Sequence, residues 1–255
     1  MTRDADGLVG KVAVVSGAAR GLGEAWTHAL RGAGATVIGF DVNPGTDAIV
    51  DASDPDQVRD FVDSVVTAHG GIDISVANAG RFGLTSPLDP WNKAVHDFDD
   101  QIGTNLKGVY LLGRAVAPVM AAGGSGHIVN ISTDHGHRAP GVRTGGGAQM
   151  DVYDASKWGI RGLTEAWAEA LRPHRIRVNE LCMGATDGAM LREFLGDRAT
   201  PEVVATWLRP EDLGRVLVDL LVEGPDGRTG ARIGLWVGHP VELPAVDQTS
   251  SPAPR

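Results

Sequence analysis

Cysteine is almost absent from this chain of 255 residues, which contains only Cys182. A single cysteine cannot form a disulfide within the chain, and it excludes a zinc site built from several cysteines. This usage is typical of the reducing cytoplasm, which is the location we expect. His135 and His137 have no third ligand at helical spacing, so we also expect no metal site.

Positive charge is scarce as well. The chain has 23 Lys and Arg against 32 Asp and Glu, which gives a formal net charge of −9. Nucleic-acid binders present a basic patch, and proteins held on anionic lipid carry a polybasic segment, so we expect neither partner. No apolar run approaches the roughly 18 residues that span a bilayer, and residues 1–10 lack the apolar core of a signal peptide.

Hydrophobic residues make up 42% of the chain and charged residues 22%, which is typical of a folded globular protein. Short β-branched runs alternate with segments that have apolar residues at helical spacing. Strands joined by helices favour right-handed crossovers and a parallel sheet, so we predict a single α/β domain with a Rossmann-type doubly wound sheet. The predicted strands are 11–16, 35–40, 49–51, 72–77, 127–132, 175–181 and 232–237, and the predicted helices are 21–33, 54–70, 91–122, 152–171 and 210–222.

A glycine-rich loop follows the first predicted strand and opens the first predicted helix. Gly17, Gly21 and Gly23 have the spacing G-x-x-x-G-x-G, and Arg20 and Leu22 lie between them. Glycines let the backbone turn tightly against a pyrophosphate, and the helix N-terminus offers free N–H groups. A tight turn without a ligand would need similar glycines, so the loop alone does not decide between the two.

Asp41 falls at the end of the second predicted strand, 24 residues after Gly17. A carboxylate there can accept both ribose hydroxyls of NAD, and it would repel the 2′-phosphate of NADP. The alternative is a turn residue before Val42. Arg20 complicates the choice of cofactor because it could reach a 2′-phosphate, but the pattern favours NAD.

Later motifs occur in an order that resembles the short-chain dehydrogenase/reductase family over about Gly10 to Gly238. Each motif is weak alone, and together with the glycine spacing they are specific. They are Asn78-Ala79-Gly80, Asn105, the Y-x-x-x-K pair Tyr153 and Lys157, Arg177-Val178-Asn179 followed by Gly184, and Thr229-Gly230.

The resemblance implies an NAD-dependent enzyme that interconverts a secondary alcohol and a ketone by hydride transfer. Tyr153 would be the acid/base, and Lys157, four residues along a helix, would favour its phenolate. Ser132 or Thr133 would hold the substrate oxygen, and Asn105 would hold a water.

The resemblance also implies the cofactor site, a substrate segment at about 185–208, and a homotetramer whose helices 91–122 and 152–171 meet at the interface. We assign residues 1–239 to the NAD-binding domain and the Pro- and Ser-rich residues 240–255 to a C-terminal tail. The expected cofactor contacts are Gly17, Arg20, Gly21, Leu22, Gly23, Asp41, Asp51, Ala52, Asn78, Ala79, Gly80, Tyr153, Lys157, Gly184 and Thr186.

Three residues depart from the family pattern. Thr133 stands where the catalytic serine is usual, Met183 replaces a proline before Gly184, and Gly188 replaces a common threonine. These departures would suit a non-catalytic NAD(H)-binding or sensor protein on the same fold, whereas the intact Tyr and Lys favour an enzyme. A lyase such as a halohydrin dehalogenase is a third possibility, which the intact glycine loop disfavours.

Two features bear on the substrate, which the sequence does not name. The loop 134–150 carries Arg138 and Arg143, which would favour a substrate with a carboxylate, phosphate or several hydroxyls if they point inward. A surface role is the alternative for both. Trp207 could roof the substrate pocket, whereas Trp26, Trp158 and Trp167 are expected in the core.

Overall fold

The computed structural model of the protein describes residues 7–136 and 149–245. Within these ranges, seven parallel strands form one sheet in the order β3-β2-β1-β4-β5-β6-β7. This confirms the predicted doubly wound parallel sheet. The strands are β1 (Val12–Ser16), β2 (Thr36–Asp41), β3 (Ala48–Ile49), β4 (Ile74–Ala77), β5 (Gly126–Thr133), β6 (Ile176–Met183) and β7 (Arg232–Leu235).

The helices connect these strands and lie on both faces of the sheet. The single long helix predicted over 91–122 contains a π-helical turn, Gly103–Lys107, that divides it in two. The helices are α1 (Gly21–Gly32), α2 (Pro55–His69), α3 (Trp91–Ile102), α4 (Gly108–Gly123), α5 (Asp151–Leu171), α6 (Ala189–Leu195), α7 (Pro201–Val204) and α8 (Pro210–Leu221).

Two apolar clusters cover the two faces of the sheet. On one face, Trp26 of α1 and Leu213 of α8 are fully buried against β1, β4, β5 and β6. On the other face, Phe61 of α2, Leu112 of α4 and Ile160 of α5 pack together. The strands are therefore buried on both sides, as expected for a parallel sheet between helices.

Sequence signals set the bounds of α2, which agrees with the predicted helix 54–70. The Asp54 carboxylate accepts hydrogen bonds from the backbone N–H groups of Asp56 and Gln57, at 2.9 and 3.0 Å. Pro55 occupies the first helical position, and Gly70 ends the helix with a φ of +83°. A side-chain oxygen at the N-cap and a left-handed glycine after the last turn satisfy backbone groups that the helix leaves unpaired.

The first part of the C-terminal tail packs against the domain. Val241 and Leu243 contact the cluster beneath α1 and α8, and Arg228 donates a hydrogen bond to the carbonyl oxygen of Pro244 at 2.9 Å. Residues 246–255 lie outside the described part, as do Arg138 and Arg143. None of the helices in the part that is described is long and apolar enough to cross a membrane.

The tryptophans only partly match the expectation. Trp26 is fully buried, but Trp158 is 49% exposed on α5, so its expected place in the core was wrong. Its position on the outer side of α5 explains the exposure, because Lys157 and Ile160 take the positions that face the sheet.

The strand order reverses between β1 and β4, which are neighbours in the sheet although β2 and β3 separate them in the chain. The connections after β1 and β4 leave in opposite directions at this point, so a crevice opens at the carboxyl ends of the strands. The glycine loop after β1 and Asn78-Ala79-Gly80 after β4 therefore lie side by side at this crevice.

Candidate active site

A cavity of about 880 Å³ lies at this crevice and extends along the carboxyl edge of the sheet. Its wall contains every predicted site residue except Asn105. The predicted residues that line it are Gly17, Arg20, Gly21, Leu22, Gly23, Asp41, Asp51, Ala52, Asn78, Ala79, Gly80, Ser132, Thr133, Tyr153, Lys157, Gly184 and Thr186.

The glycine loop is packed so closely that side chains are excluded from it. A Cβ atom at Gly23 would lie 1.9 Å from the carbonyl oxygen of Gly17, and Gly17 itself has a φ of +67°. The Asn78 amide donates to the carbonyl oxygens of Ser16 and Gly17, at 3.0 and 3.2 Å. The indole N–H of Trp26 donates to the side-chain oxygen of Asn78 at 3.1 Å. Asn78 therefore fixes the loop to the end of β4.

The N-terminus of α1 opens toward the cavity. Across the described ranges, no side chain caps this end of α1, whose preceding residue is Arg20. Gly21 has a φ of +61°, and a Cβ placed there would have only Gly188 and Ala189 near it, both at 4.0 Å. Uncapped N–H groups beside an open glycine form a cradle that fits the pyrophosphate of a dinucleotide.

Asp41 ends β2 at the opposite edge of the glycine loop. Its carboxylate accepts hydrogen bonds from the backbone N–H of Ala19 at 3.2 Å, and from the backbone and side-chain N–H groups of Asn43, both at 2.9 Å. These contacts hold the carboxylate in the cavity wall, where a ribose would be bound. The two readings of Asp41 are therefore compatible, since it both shapes the turn and faces the cavity.

Arg20 extends from the glycine loop to α6. Its guanidinium lies 2.5 Å from the carboxylate of Glu193, and both side chains are more than half exposed. The pair joins the glycine loop to the segment predicted to bind substrate.

Asp51 follows β3, which is shorter than the predicted strand 49–51 and ends at Ile49. Its carboxylate accepts from the N–H and hydroxyl of Ser53, at 2.8 and 2.7 Å. Ala52 is buried beside it, against Gly108 of α4. Both residues line the end of the cavity beyond Asp41.

Lys157 is buried on α5, one turn after Tyr153. Its ammonium nitrogen donates to the carbonyl oxygen of Ile131 at 3.1 Å. Burial lowers the pKa of Lys157 to about 8, although the nearby Glu180 carboxylate acts in the opposite direction. The chain thus holds this lysine poorly solvated beneath the cavity.

The pKa of the Tyr153 phenol differs from the expectation. Its burial, followed by the negative charges of Asp154 and Asp134, raises the pKa of Tyr153 above the range of an ordinary tyrosine. A hydrogen bond with Thr133 acts in the opposite direction. Burial and the two carboxylates therefore dominate the pKa of Tyr153 in this structure, and the expected lowering by Lys157 is not seen.

The hydroxyl next to the phenol belongs to Thr133, the last residue of β5. Successive strand residues point to opposite faces of a sheet, and Ser132 instead donates to the carbonyl oxygen of Lys157 at 3.4 Å. The Thr133 hydroxyl acts on the Tyr153 phenol, whose pKa it lowers, and it donates to the Asp134 carboxylate at 3.2 Å. The geometry therefore favours Thr133 over Ser132 for contact with a substrate oxygen.

Asn105 lies in the π-helical turn behind the cavity wall and is fully buried. Its amide donates to the carbonyl oxygen of Arg81 at 2.9 Å and to the hydroxyl of Ser156 at 3.0 Å. Its carbonyl oxygen accepts from the N–H of Arg81 at 2.6 Å. Asn105 thus ties the loop after β4 to α5, the helix that carries Tyr153.

The segment after β6 closes the far side of the cavity. Gly184 donates to the carbonyl oxygen of Leu235 at 2.9 Å, and the Thr186 hydroxyl donates to the carbonyl oxygen of Gly184, also at 2.9 Å. Met183 is buried at the end of β6, so its side chain fills core space at the position of the usual proline.

Sequence reasoning did not identify the aromatic side chains around Tyr153. The ring of Phe82 meets that of Tyr153 edge-on at 5.1 Å and that of Phe194 at 4.8 Å. Phe82 comes two residues after Asn78-Ala79-Gly80, and Phe194 falls inside the predicted substrate segment, so motif position could have indicated both. Trp207 is buried and lies outside the cavity wall, so it does not roof the pocket.

His135 also faces the cavity, but not as a metal ligand. In the part of the chain that the structure describes, no three His, Cys, Asp or Glu side chains are grouped to hold a metal. The Cys182 thiol is buried at the back of the site between Glu180 and Arg232, at 3.3 and 3.2 Å. Burial raises the pKa of this thiol to about 12, so it is an inert core residue.

Comparisons with known proteins give the family. The family described as short chain dehydrogenase matches residues 11–199. The 3-oxoacyl-(acyl-carrier-protein) reductase FabG of Thermotoga maritima is 32% identical over 250 residues, covering 89% of this chain and 97% of that protein. A 3-alpha-(or 20-beta)-hydroxysteroid dehydrogenase of Mycobacterium bovis is 31% identical over 237 residues, covering 88% and 87%.

A solved structure agrees with these relatives. The crystal structure of a short-chain type dehydrogenase/reductase from Mycobacterium marinum superposes with a TM-score of 0.77 at 29% identity, covering 92% of this chain and 97% of that one. The matched residues include the glycine loop, Asn105, and the Tyr153 and Lys157 pair. This chain therefore belongs to the short-chain dehydrogenase/reductase family of oxidoreductases.

Proposed function

We propose that the protein is an NAD-dependent oxidoreductase that interconverts a secondary alcohol and a ketone, with Tyr153 as the acid/base. One observation carries this proposal. A single cavity has the glycine loop and Asp41 at one end and the convergent side chains of Tyr153, Thr133 and Lys157 at the other. A dinucleotide bound along the cavity would bring its reactive end to the phenol.

The choice of NAD rests on Asp41 and Arg20. The Asp41 carboxylate lines the cavity, and an adenosine ribose bound beside it would give both hydroxyls to this carboxylate, which would repel a 2′-phosphate. Arg20, the cation nearest in sequence to this position, is paired with Glu193 at 2.5 Å. This pairing supports NAD over NADP because it directs the guanidinium toward α6.

In the proposed reaction, bound NAD supplies or accepts the hydride. Thr133 holds the substrate oxygen with its hydroxyl, and Tyr153 takes or gives the proton at that oxygen. Lys157, beneath the ring, would bind the ribose hydroxyls. Phe82 and Phe194 line the space beside the phenol and exclude water from it. The hydroxysteroid dehydrogenase relative supports an alcohol or ketone as substrate.

The experiment is a screen of NADH absorbance with the purified full chain against a panel of secondary alcohols and ketones. We expect turnover with at least one pair, faster with NAD than with NADP, and its loss in Tyr153→Phe. NADH binding without turnover across the panel would favour the non-catalytic sensor instead. Absence of NADH binding would overturn both.

We also propose that the protein assembles as a homotetramer. The helices predicted at the interface carry large apolar side chains that are exposed in the single chain, among them Phe98 of α3, Tyr110 of α4 and Trp158 of α5. Large apolar side chains exposed on these helices are consistent with a surface that another chain covers. Sedimentation analysis of the wild type and of Trp158→Glu tests this, with dissociation of the variant as the expected result.

A further inference from the structure

The cavity wall beside the Tyr153 phenol carries large apolar side chains. The ring of Phe82 meets that of Tyr153 at an interplanar angle of 81°, and the ring of Phe194 meets that of Phe82 at 77°. Leu84, from the loop after β4, and Met190, from α6, extend this wall and are 43% and 42% exposed. Exposed hydrocarbon inside a cavity favours a ligand that covers it with hydrocarbon of its own.

The backbone holds the segment 82–84 of this wall at both ends. At one end, the Asn105 side chain bonds the N–H and the carbonyl oxygen of Arg81, at 2.6 and 2.9 Å. At the other end, the N–H of Thr85 donates to the carbonyl oxygen of Gln149 at 2.9 Å. The wall is therefore formed before a substrate binds, which lowers the entropy cost of binding.

The arginines near this wall already have partners. Arg81 lies 3.1 Å from the Asp100 carboxylate, and Arg20 forms its ion pair with α6. Arg198 lies over the ring of Phe194, 5.6 Å from its centroid, and donates to two carbonyl oxygens at the end of α6. Within residues 7–136 and 149–245, no arginine of the cavity wall is left unpaired to hold a carboxylate or a phosphate.

The other ionisable groups at this end do not favour an anion. The Asp134 carboxylate lines the cavity and accepts from the Thr133 hydroxyl at 3.2 Å. Nδ1 of His135 lies 2.9 Å from a second carboxylate, that of Asp154. Lys157 is buried and donates to a backbone carbonyl oxygen of β5. A carboxylate on the substrate would meet two like charges here, which disfavour its binding.

We propose that the substrate is a neutral secondary alcohol or ketone with a bulky hydrocarbon group that packs against Phe82, Phe194 and Leu84. This inference rests on the proposed function, because it names the substrate class of the same site. The steeply angled rings form a corner, and a six-membered ring fits a corner with little loss of conformational freedom. Phe194 and Leu84 are specificity-determining residues, since they touch the hydrocarbon group and not the reacting atoms.

The first experiment compares two substrates that differ in charge far from the reacting carbon. 4-Methylcyclohexanol and 4-hydroxycyclohexanecarboxylate, used as the same stereoisomer, share the ring and the hydroxyl. We expect kcat/KM with NAD to be about 100-fold higher for the methyl compound, because opposed like charges cost several kcal/mol. Equal values, or a preference for the carboxylate, would overturn the proposal and favour the charged substrate suggested by Arg138 and Arg143, which lie outside the described residues.

A smaller substrate tests the hydrocarbon contact. 2-Propanol keeps the secondary hydroxyl and lacks the ring, so we expect its kcat/KM to be lower by about fourfold for each missing carbon. A value equal to that of 4-methylcyclohexanol would show that the apolar wall contributes nothing to binding, and it would overturn the proposal.

Two leucines of the loop after β4 give a matched pair of variants. Leu84 lines the cavity, whereas Leu88 is 93% exposed and does not. We expect Leu84→Ala and Phe194→Ala each to raise KM for 4-methylcyclohexanol about tenfold, within the value of burying one large apolar side chain. Their kcat, and their kinetics on 2-propanol, should change little. Leu88→Ala should match the wild type on both substrates, and an unchanged KM in Leu84→Ala and Phe194→Ala would contradict the assignment.

Ketone binding separates this inference from the proposed function. The full chain, with and without NADH, is titrated by calorimetry with 4-methylcyclohexanone and with 4-oxocyclohexanecarboxylate, which needs no turnover. Tighter binding of the neutral ketone, weakened in Phe194→Ala, supports the apolar site even if the wild type is inactive, and then the proposed function alone fails. Turnover that is lost in Tyr153→Phe, together with a preference for the carboxylate, supports the proposed function and overturns this inference.

Discussion

The ammonium nitrogen of Lys157 lies 5.9 Å from the centroid of the Tyr153 ring and donates its hydrogen bond to the carbonyl oxygen of Ile131. The lysine is thus held beneath the ring, between α5 and β5, in a place where burial disfavours its charge. Tyr153 in turn has neighbours that disfavour a phenolate. Each of the two residues is therefore held closer to its neutral form than it would be in water.

This arrangement predicts an unusual dependence of stability on pH. Burial lowers the pKa of Lys157 from 10.5 to about 8. Between these values the unfolded chain binds the extra proton, so the free energy of unfolding rises with pH from about 8 to 10.5. Below pH 8 the folded state must keep a desolvated cation, at a cost of up to about 3 kcal/mol.

We therefore expect Lys157→Met to be more stable than the wild type at pH 7, with the difference shrinking as pH rises from about 8 to 10.5. Urea unfolding at a series of pH values measures it. Lys107→Met, which removes an exposed lysine from the π-helical turn, is the control and should leave the pH dependence unchanged. Lower stability of Lys157→Met at every pH would show that the lysine charge is well compensated.

The next prediction concerns the Tyr153 phenol, for which the chain offers one matched control tyrosine. We expect Tyr153→Phe to lower kcat by about 100-fold or more, because it removes only the group that transfers the proton. NADH affinity should change little. Tyr110→Phe is a matched control, since Tyr110 is the only other tyrosine in the chain and lies on α4. A variant that keeps a tenth of the rate would exclude Tyr153 as the acid/base.

The hydroxyl prediction separates two neighbouring residues. Thr133→Val should reduce kcat more than Ser132→Ala, because the Thr133 hydroxyl acts on the Tyr153 phenol and lowers its pKa, whereas Ser132 donates into the backbone of α5. Valine keeps the shape of threonine, so a fall in kcat reports the lost hydroxyl. The comparison is made on one substrate at saturating NAD. Equal losses in both variants would contradict a distinct role for Thr133.

Much of the fold follows from the sequence because its signals are local. The glycine spacing and the alternation of apolar strands with amphipathic helices indicated most of the observed elements within a few residues, whereas the short helices α6 and α7 were not predicted. The π-helical turn at Gly103–Lys107 was not predictable, because its residues continue the apolar spacing of an ordinary helix. Asn105 lies in this irregular turn, and its side chain contacts Arg81 and Ser156.

Only those parts of the site that belong to sequence motifs could be predicted. The positions of Tyr153 and Lys157 came from their spacing, but their pKa values depend on burial and on Asp134 and Asp154, which no spacing reveals. The pairing of Arg20 with Glu193 joins residues 173 positions apart. Long-range charge contacts of this kind arise from how α6 folds over the glycine loop, so they require the structure.

That pairing gives a prediction on cofactor choice. Asp41→Ser should raise kcat/KM with NADP about tenfold, a change of 1.4 kcal/mol, because the carboxylate that opposes a 2′-phosphate is removed. Adding Glu193→Gln should raise it further, since Arg20 is then released from its partner. Glu165→Gln is a control, because it breaks a pair with Arg161 of the same length, 2.5 Å, on α5. A wild type that already prefers NADP would contradict the role of Asp41.

The last prediction concerns the glycine loop, where sterics leave little freedom. In Gly23→Ala the new Cβ would lie 1.9 Å from the backbone carbonyl oxygen of Gly17 and 2.8 Å from the side-chain amide nitrogen of Asn78. The first of these is backbone and cannot rotate away, so the loop must move.

We expect Gly23→Ala to lose NADH affinity, measured by fluorescence titration, and to lower the free energy of unfolding by about 1–3 kcal/mol. Gly32→Ala, at the other end of α1, is the matched control because nothing lies within 4 Å of its Cβ. That variant should bind NADH as the wild type does and gain up to about 1 kcal/mol, since alanine is the better helix former. If Gly23→Ala binds NADH with wild-type affinity, the close contact of the glycine loop is not required for cofactor binding, and the cavity must accept the dinucleotide in another way.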